Sequence, residues 1–459
     1  MPADRVNSLA RRLLSPFGIE PITPLAFAAF RTAFGLGLLY VQVVYQPFRA
    51  KPFDVRNPHG PLADAEWINA LAMNHTALSI FQIAACAATV LFIAGILARL
   101  AYVVVVSMMF INVLMILTRT GGHDWGLPIV TLIVMTIVPW NEAPPLWQLR
   151  RSWAAYGAPH LASRVYGFAV WIPGLMVGLA FAAAAYAKVG GTGLEWITNG
   201  TVRYHFVEDG RNAPIALGLW IATHERLSIA LSLAAVLVEA AFIFVVFARD
   251  WRIRLAFGLM GASLMAGFTL LQGVAWWPWR ILFLAFLPWT LCKARPGWMA
   301  PETAAADAIP PQPRDLTWVH AALVVTLVGV QLWASWKLVE MEPLISNYPM
   351  YAYTWPSPQE FNRGQARTRF ESNGMDISEA VENTRGDEVL RQMATASDLT
   401  ERKGPDPQAL ARFTESYMHT YGALPSSVDV IVVQRPFDWQ RGRYLPQTRE
   451  YIGTAHLSH

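Results

Sequence analysis

Between Pro24 and Trp336 the chain is a succession of apolar runs separated by short segments of arginine, proline and glycine. Most runs reach or approach the roughly 20 helical residues that a ~30 Å hydrocarbon core demands at ~1.5 Å per residue. Composition agrees: 54% of residues are hydrophobic, 15% are charged, and mean hydropathy is positive. A soluble chain is excluded on that profile, and a polytopic membrane protein fits it. The net charge of +4 and pI near 9.1 do not point to nucleic acid, because the arginines sit in clusters between apolar runs rather than on one face. They read as topology signals.

Nine spans are expected: Pro24 to Tyr45, Ala77 to Leu97, Leu100 to Leu117, Leu127 to Trp140, Val165 to Lys188, Ser228 to Phe247, Arg254 to Leu271, Ala275 to Leu291 and Val319 to Trp336. Arg5, Arg11 and Arg12 precede the first, and Arg150, Arg151, Arg164, Arg249 and Arg252 fall in loops of the same parity, so the N-terminus is expected in the cytoplasm. Arg31, near the start of the first span, is expected to reach back toward that side. No continuous apolar region with a cleavage site precedes the first span, so no removable signal peptide is expected. The proline-rich stretch 47–75 reads as an external loop. Cys86 and Cys292 offer neither metal spacing nor a disulfide framework.

The fifth run ends at a charge. In AFAAAAYAKVGGTGLEWITNGTVRYHF, residues 180–206, hydrocarbon gives way at Lys188 to a glycine-rich segment. Lys188 is either a snorkelling anchor or a functional amine. A lysine that sheds its hydration there can present a free amine, and a free amine is a base, unless Glu195 or Asp124 holds it charged. The arginine-derived topology puts His123 and Asp124, Lys188, and Glu195, Trp196, Arg203, His205 and Asp209 on one external side. That is the convergence an active site needs. His123 reads as an acid/base partner or as a polar residue at a helix entry, and Arg203 as a contact for an acidic substrate or as loop polarity. Trp125, Tyr186, Trp196 and Tyr204 either wall a flat lipophilic ring or belong to the interfacial aromatic belt. The apolar stretch Ala213 to Thr223 is too short to span and is expected to roof this region. Glu239, central in the sixth run, is a site residue by default or a helix–helix hydrogen bond, and Arg280 is its partner or an anchor.

Ala184-Ala185-Tyr186-Ala187 before Lys188, Glu195-Trp196 and Asn199-Gly200 after it, the Phe30-Arg31 opening of the first span and an acid at Glu239 resemble the HTTM family (horizontally transferred transmembrane domain). Its multi-pass members include the vitamin K-dependent gamma-carboxylases. The resemblance runs over roughly residues 20 to 295. It implies a catalytic role for Lys188 as the base that deprotonates a reduced, vitamin K-like quinone, with His123 beside it, Asp124, Glu195, Trp196, Arg203 and Glu239 in support, and a peptide or protein substrate on the external side. The chain departs from the carboxylase branch in its short external domain, in the insertion Gly190 to Gly193, and in lacking a histidine in spans seven and eight.

The expected fold is an all-α polytopic membrane protein of about nine transmembrane helices with a small C-terminal α+β extracytoplasmic domain. Its parts are a cytoplasmic N-terminus (1–23), an HTTM-like transmembrane domain (24–295), a cytoplasmic linker (296–318), a final transmembrane helix (319–336) and the α+β domain (337–459), whose Asn373-Gly374 turn and VDVIVVQ run read as sheet. The expected setting is a bacterial inner membrane, with lipids as partners and no nucleic acid. Two other classes stay open: a non-catalytic membrane protein assisting export, maturation or immunity, and a proton-coupled transporter using Glu239.

Overall fold

The computed structural model describes residues 3–45, 48, 62, 65–117, 123–274, 276–292, 314–337, 340–341, 345–346, 352–384, 386–396 and 405–457. Residues 296–313 of the linker expected at 296–318, and most of residues 47–64 of the external loop expected at 47–75, lie outside them. In chain order the bundle is built from α1 (Pro24–Tyr40), α2 (His75–Ala94), α3 (Ala98–Leu117), α4 (His123–Val134), α5 (Leu146–Tyr156), α6 (Arg164–Thr192), α7 (Val202–Asp209), α8 (Leu217–Ala222), α9 (Glu225–Ala241), α10 (Trp251–Gly267) and α11 (Trp318–Lys337). Among the described residues seven helices are long and apolar enough to cross a membrane: α1, α2, α3, α6, α9, α10 and α11, with π or 3₁₀ turns prolonging α1, α9 and α10. This is the make-up of a multi-pass helical membrane protein.

Two of the nine expected spans are broken. The fourth run bends by 64° between Trp125–Ile137 and Trp140–Leu149. Pro139 falls at the bend, Pro144 and Pro145 separate the 3₁₀ turn at Trp140–Glu142 from α5, and each removes a backbone donor that a continuous helix needs. The eighth is a four-residue helix, Trp277–Arg280, followed by 3₁₀ turns at Ile281–Phe286 and Trp289–Leu291 around Pro288. It is nonetheless core, with Trp279, Leu282, Ala285 and Phe286 buried.

The bend explains Arg31. Rather than reaching back to a lipid surface, its fully buried guanidinium donates to the carbonyls of Ala143 and Pro144 at 2.8 and 2.9 Å. Backbone oxygens in hydrocarbon must find a donor within the protein, and here the donor comes from another helix. Gly95 (φ 81°) ends α2 beside it; a Cβ there would lie 2.6 Å from the guanidinium.

Helix α6 is the axis of the bundle, buried along almost its whole length. Ser163 caps its start by accepting from the Val165 N–H. Gly178 lets the chain after α9 approach closely, since a Cβ would sit 3.1 Å from the Phe242 carbonyl oxygen. The Trp171 indole donates to the Val246 carbonyl at 3.0 Å. Because 171 meets 246, 178 meets 242 and 188 meets 239, α6 and α9 run antiparallel.

Direct contacts collect one set of helix ends at a single face. Ile22 bridges Ser163, Ser163 Oγ donates to the Arg314 carbonyl at 2.7 Å, Gly18 N–H donates to the Val246 carbonyl at 2.8 Å, and Arg314 pairs with Glu142 at 2.6 Å. The starts of α1, α6 and α11, the bend after α4 and the end of α9 therefore share this face. Residues 190–223 and the C-terminal region lie at the other.

The C-terminal region holds strands β1 (Arg367–Ser372), β2 (Met375–Asp376), β3 (Ser427–Gln434) and β4 (Thr448–His456) in the antiparallel order β2-β1-β3-β4. Asn373 and Gly374 both take positive φ in the two-residue loop joining β1 to β2, the hairpin geometry their sequence predicts. Helices α12 (Ser378–Asn383), α13 (Asp387–Ala396) and α14 (Pro407–Tyr421) pack Leu390 and Phe413 onto Phe370, Val428 and Val430 of one sheet face. Tyr204 of α7 is buried against Phe361 and Trp439, and Thr201 hydrogen-bonds Thr354 at 2.5 Å, so α7 is clamped between bundle and C-terminal region.

Candidate functional site

Cα–Cβ bonds lean toward the N-terminus of their helix. On α6 that direction carries Lys188 back into the bundle, away from the nearby helix end; on the antiparallel α9 it carries Glu239 toward Lys188. The two meet: Lys188 Nζ donates to both oxygens of Glu239, at 2.9 and 2.7 Å, with side chains only 4% and 6% exposed. Trp196 lies over the ammonium at 5.4 Å from its ring centre, a cation–π contact. Lys188 is thus not a snorkelling anchor. The carboxylate that holds it is Glu239 and not Glu195, which is exposed.

The ion pair floors a cleft of about 320 Å³. Helices α9 and α10 touch toward the N-terminal face, where Phe242 meets Phe257 edge to face at 5.3 Å, and part toward the pair. Leu231, Val238, Met260 and Leu264 form the walls, and Phe206 of α7 and Ile221 of α8 form the roof. The short apolar helix expected to cover the site does contribute, through Ile221. Ala234 and Ser263 line the cleft yet are exposed on the outer surface of the bundle, so its mouth opens sideways between α9 and α10. Gln272 also lines it, and its buried Oε1 has no hydrogen-bond partner among the described residues. A buried acceptor left bare costs roughly 1–3 kcal/mol, and a donor on a ligand would relieve that.

The other candidates separate. Helix α7 turns His205 into the cleft lining and Arg203 away from it. Arg203 is buried against Tyr204 and Trp439 and lies 3.6 Å from Glu225, so it anchors the C-terminal region and faces no ligand space. His123 and Asp124 open α4, but their side chains fall outside the described residues. Of the four aromatics considered as ring walls, only Trp196 lines the cleft; Trp125 faces a separate small void, Tyr186 is exposed and Tyr204 packs on Phe361. Arg280 does not reach Glu239: it donates to Thr269 Oγ1 at 2.5 Å and stacks on Trp277, as an anchor would.

Glu208 and Tyr353 add a polar edge that the sequence left unmarked; its trace is the i, i+3 spacing of His205 and Glu208. His205 Nδ1 lies 3.6 Å from Glu208 Oε2, which accepts from the Tyr353 hydroxyl at 2.5 Å. Burial tends to raise the Glu208 carboxyl, but the nearby His205 ring, the hydrogen bond from Tyr353 and the charge of Arg367 outweigh it and hold it below its ordinary range. Burial, and then Glu208, pushes the Tyr353 phenol well above its own.

Such a cleft can admit a flat or chain-like apolar molecule and set one polar end of it against the buried ion pair. Among the described residues no group of His, Cys, Asp or Glu is placed to hold a metal ion. No protein-family model, curated protein or solved structure matches the chain.

Proposed function

We propose that the chain is an integral membrane protein with an HTTM-like, carboxylase-like architecture that binds a quinone in the α9–α10 cleft and moves a proton through Lys188 and Glu239. The observation that carries this reading is the position of the ion pair at the floor of an apolar cleft whose mouth faces the side of the bundle. The lining fits the group: apolar walls for a ring and tail, Trp196 for stacking, and Lys188 Nζ, Glu239 and Gln272 Oε1 for ring oxygens. A reduced quinone supplies a ring hydroxyl that becomes reactive when its proton is removed. Lys188, donating to both Glu239 oxygens, is read as the ammonium, so Glu239 accepts the proton and Lys188 balances the charge left on the ligand. This reassigns the base that the family resemblance implies. The α7–α8 roof excludes water from the exchange.

The substrate is read as a peptide or protein on the external side. The membrane is read as a bacterial inner membrane, crossed nine times if the two broken segments are counted. Thr23 Oγ1 donating to the Cys292 carbonyl at 3.3 Å supports a full crossing by the eighth. Arginines 12, 164, 249 and 252 at the N-terminal face support a cytoplasmic N-terminus. A second reading shares the same observation: a buried Lys–Glu pair at membrane depth also suits a proton-coupled carrier.

The test is organic extraction and spectroscopy of detergent-purified protein, wild type against Lys188→Met, before and after adding menadione. Quinone held by the wild type and lost in the variant is expected. No quinone in either sample overturns the reading, and transport across proteoliposomes abolished by Glu239→Gln favours the carrier.

A further inference from the structure

A proton accepted at Glu239 must leave, and the pair is buried, its side chains only 4% and 6% exposed. Among the described residues His205 is the one other titratable side chain lining the cleft. Its ring is 2% exposed, lies edge to face with Tyr353 at 4.9 Å, and points Nδ1 at Glu208. Glu208 is 24% exposed on its side chain and so reaches solvent. We propose that His205 and Glu208 form the proton path between the cleft and the aqueous side, with Tyr353 holding the Glu208 carboxylate in place. The inference rests on the reading of the cleft as a quinone site.

Four features support it. Imidazole can take a proton on one nitrogen and release one from the other, and this ring stands between the cleft and a carboxylate. The 3.6 Å separation is longer than a direct hydrogen bond, as catalytic contacts commonly are before a ligand closes them. Helix α7 is pinned at both ends, by the Val202 N–H donating to Ser232 Oγ at 3.2 Å and by Tyr444 donating to the Val207 carbonyl, which fixes His205 and Glu208 in line. Tyr353 stays protonated and donates, so it orients Glu208 without competing for the proton, while Arg367 favours the carboxylate form.

The path is tested on full-length protein in detergent, loaded with dithionite-reduced menadione under anaerobic conditions. After a jump from mildly acidic to mildly alkaline buffer, the absorbance of the bound ring reports loss of its hydroxyl proton. Glu208→Gln, which keeps an acceptor for Tyr353, is expected to bind the ring as wild type does and to slow its ionisation roughly tenfold or more. His205→Asn is expected to slow it similarly, and formate to restore the rate in Glu208→Gln, which a purely structural defect would not allow. A second readout needs no ligand: ¹⁵N NMR of the His205 ring, assigned with His205→Asn, should titrate at lower pH in Glu208→Gln. Bound menadiol ionising equally fast in both variants, or a His205 titration indifferent to Glu208, overturns the path and leaves the quinone site standing. Failure of the wild type to bind menadiol overturns both.

Discussion

Lys188 and Glu239 share one buried contact, and the consequence of breaking it depends on which side is removed. A charge stripped of its partner in a low-dielectric interior costs about 3–5 kcal/mol, whereas replacing both partners by apolar residues is close to neutral. Glu239→Leu alone is expected to lower the thermal midpoint of detergent-solubilised protein steeply, and Lys188→Met with Glu239→Leu to recover most of the loss. Equal destabilisation by the single and double variants would show that the pair does not hold the fold. Both residues were visible in the sequence as charges within or at the end of apolar runs. Their pairing was not, because the partners are 51 residues apart and the snorkelling picture pointed Lys188 the wrong way along its helix. Glu208 carries a separate expectation. Its folded value is depressed, so its contribution is complete above the unfolded carboxyl range near pH ~4.3 and is lost as pH falls through the lower folded value. Protease access to the C-terminal region should rise below about pH 4 in the wild type, and less steeply in Glu208→Gln, where the titrating group is gone.

At the scale of elements, helix-length apolar runs made α2, α3, α6 and α11 legible, and the Asn373-Gly374 turn with the β-branched run after Val428 made the sheet legible. The two broken segments were not, since proline changes hydrogen bonding without changing hydropathy. Arg31 shows the cost of that omission: read alone it wanted a lipid surface, whereas the bend after α4 supplies carbonyls. Arg31→Leu leaves the Ala143 and Pro144 oxygens without their donor, at about 1–3 kcal/mol for each buried group. The expected outcome is a lower midpoint without loss of ligand; an unchanged midpoint would mean that other groups satisfy the bend. The cleft permits the opposite experiment. Gly267 lines it on α10 in helical geometry, and a Cβ there meets nothing within 4 Å. Gly267→Leu should stabilise α10 by up to about 1 kcal/mol while filling the space between α9 and α10. Menadione uptake should then fall with the fold intact, and full uptake would place the ligand elsewhere.

Across the whole molecule, the arrangement of ends fixes what any topology must satisfy. The bridge from Ile22 to Ser163 and the bond from Ser163 to Arg314 tie three helix starts to one face without reference to a bilayer. Lys188, α7 and the C-terminal sheet are tied to the other through Thr201, Tyr204 and Val207. Arginine counting expects a partition of this kind from sequence, because loop charge records insertion while contact geometry records the folded result. The two agree only if the broken segments cross, since a hairpin at either would reverse every later end. Single cysteines at Arg12, Gly191 and Met375, placed in a background with Cys86 and Cys292 changed to serine, test this with a membrane-impermeant maleimide. In intact cells Gly191→Cys and Met375→Cys should label together from outside, and Arg12→Cys only after the membrane is opened. Labelling of Gly191→Cys and Met375→Cys from opposite sides would break the tie between the bundle and its C-terminal region. Labelling of Arg12→Cys together with the other two would mean that the fourth segment turns back, and the path through His205 and Glu208 would then have to end in a compartment other than the one the substrate occupies.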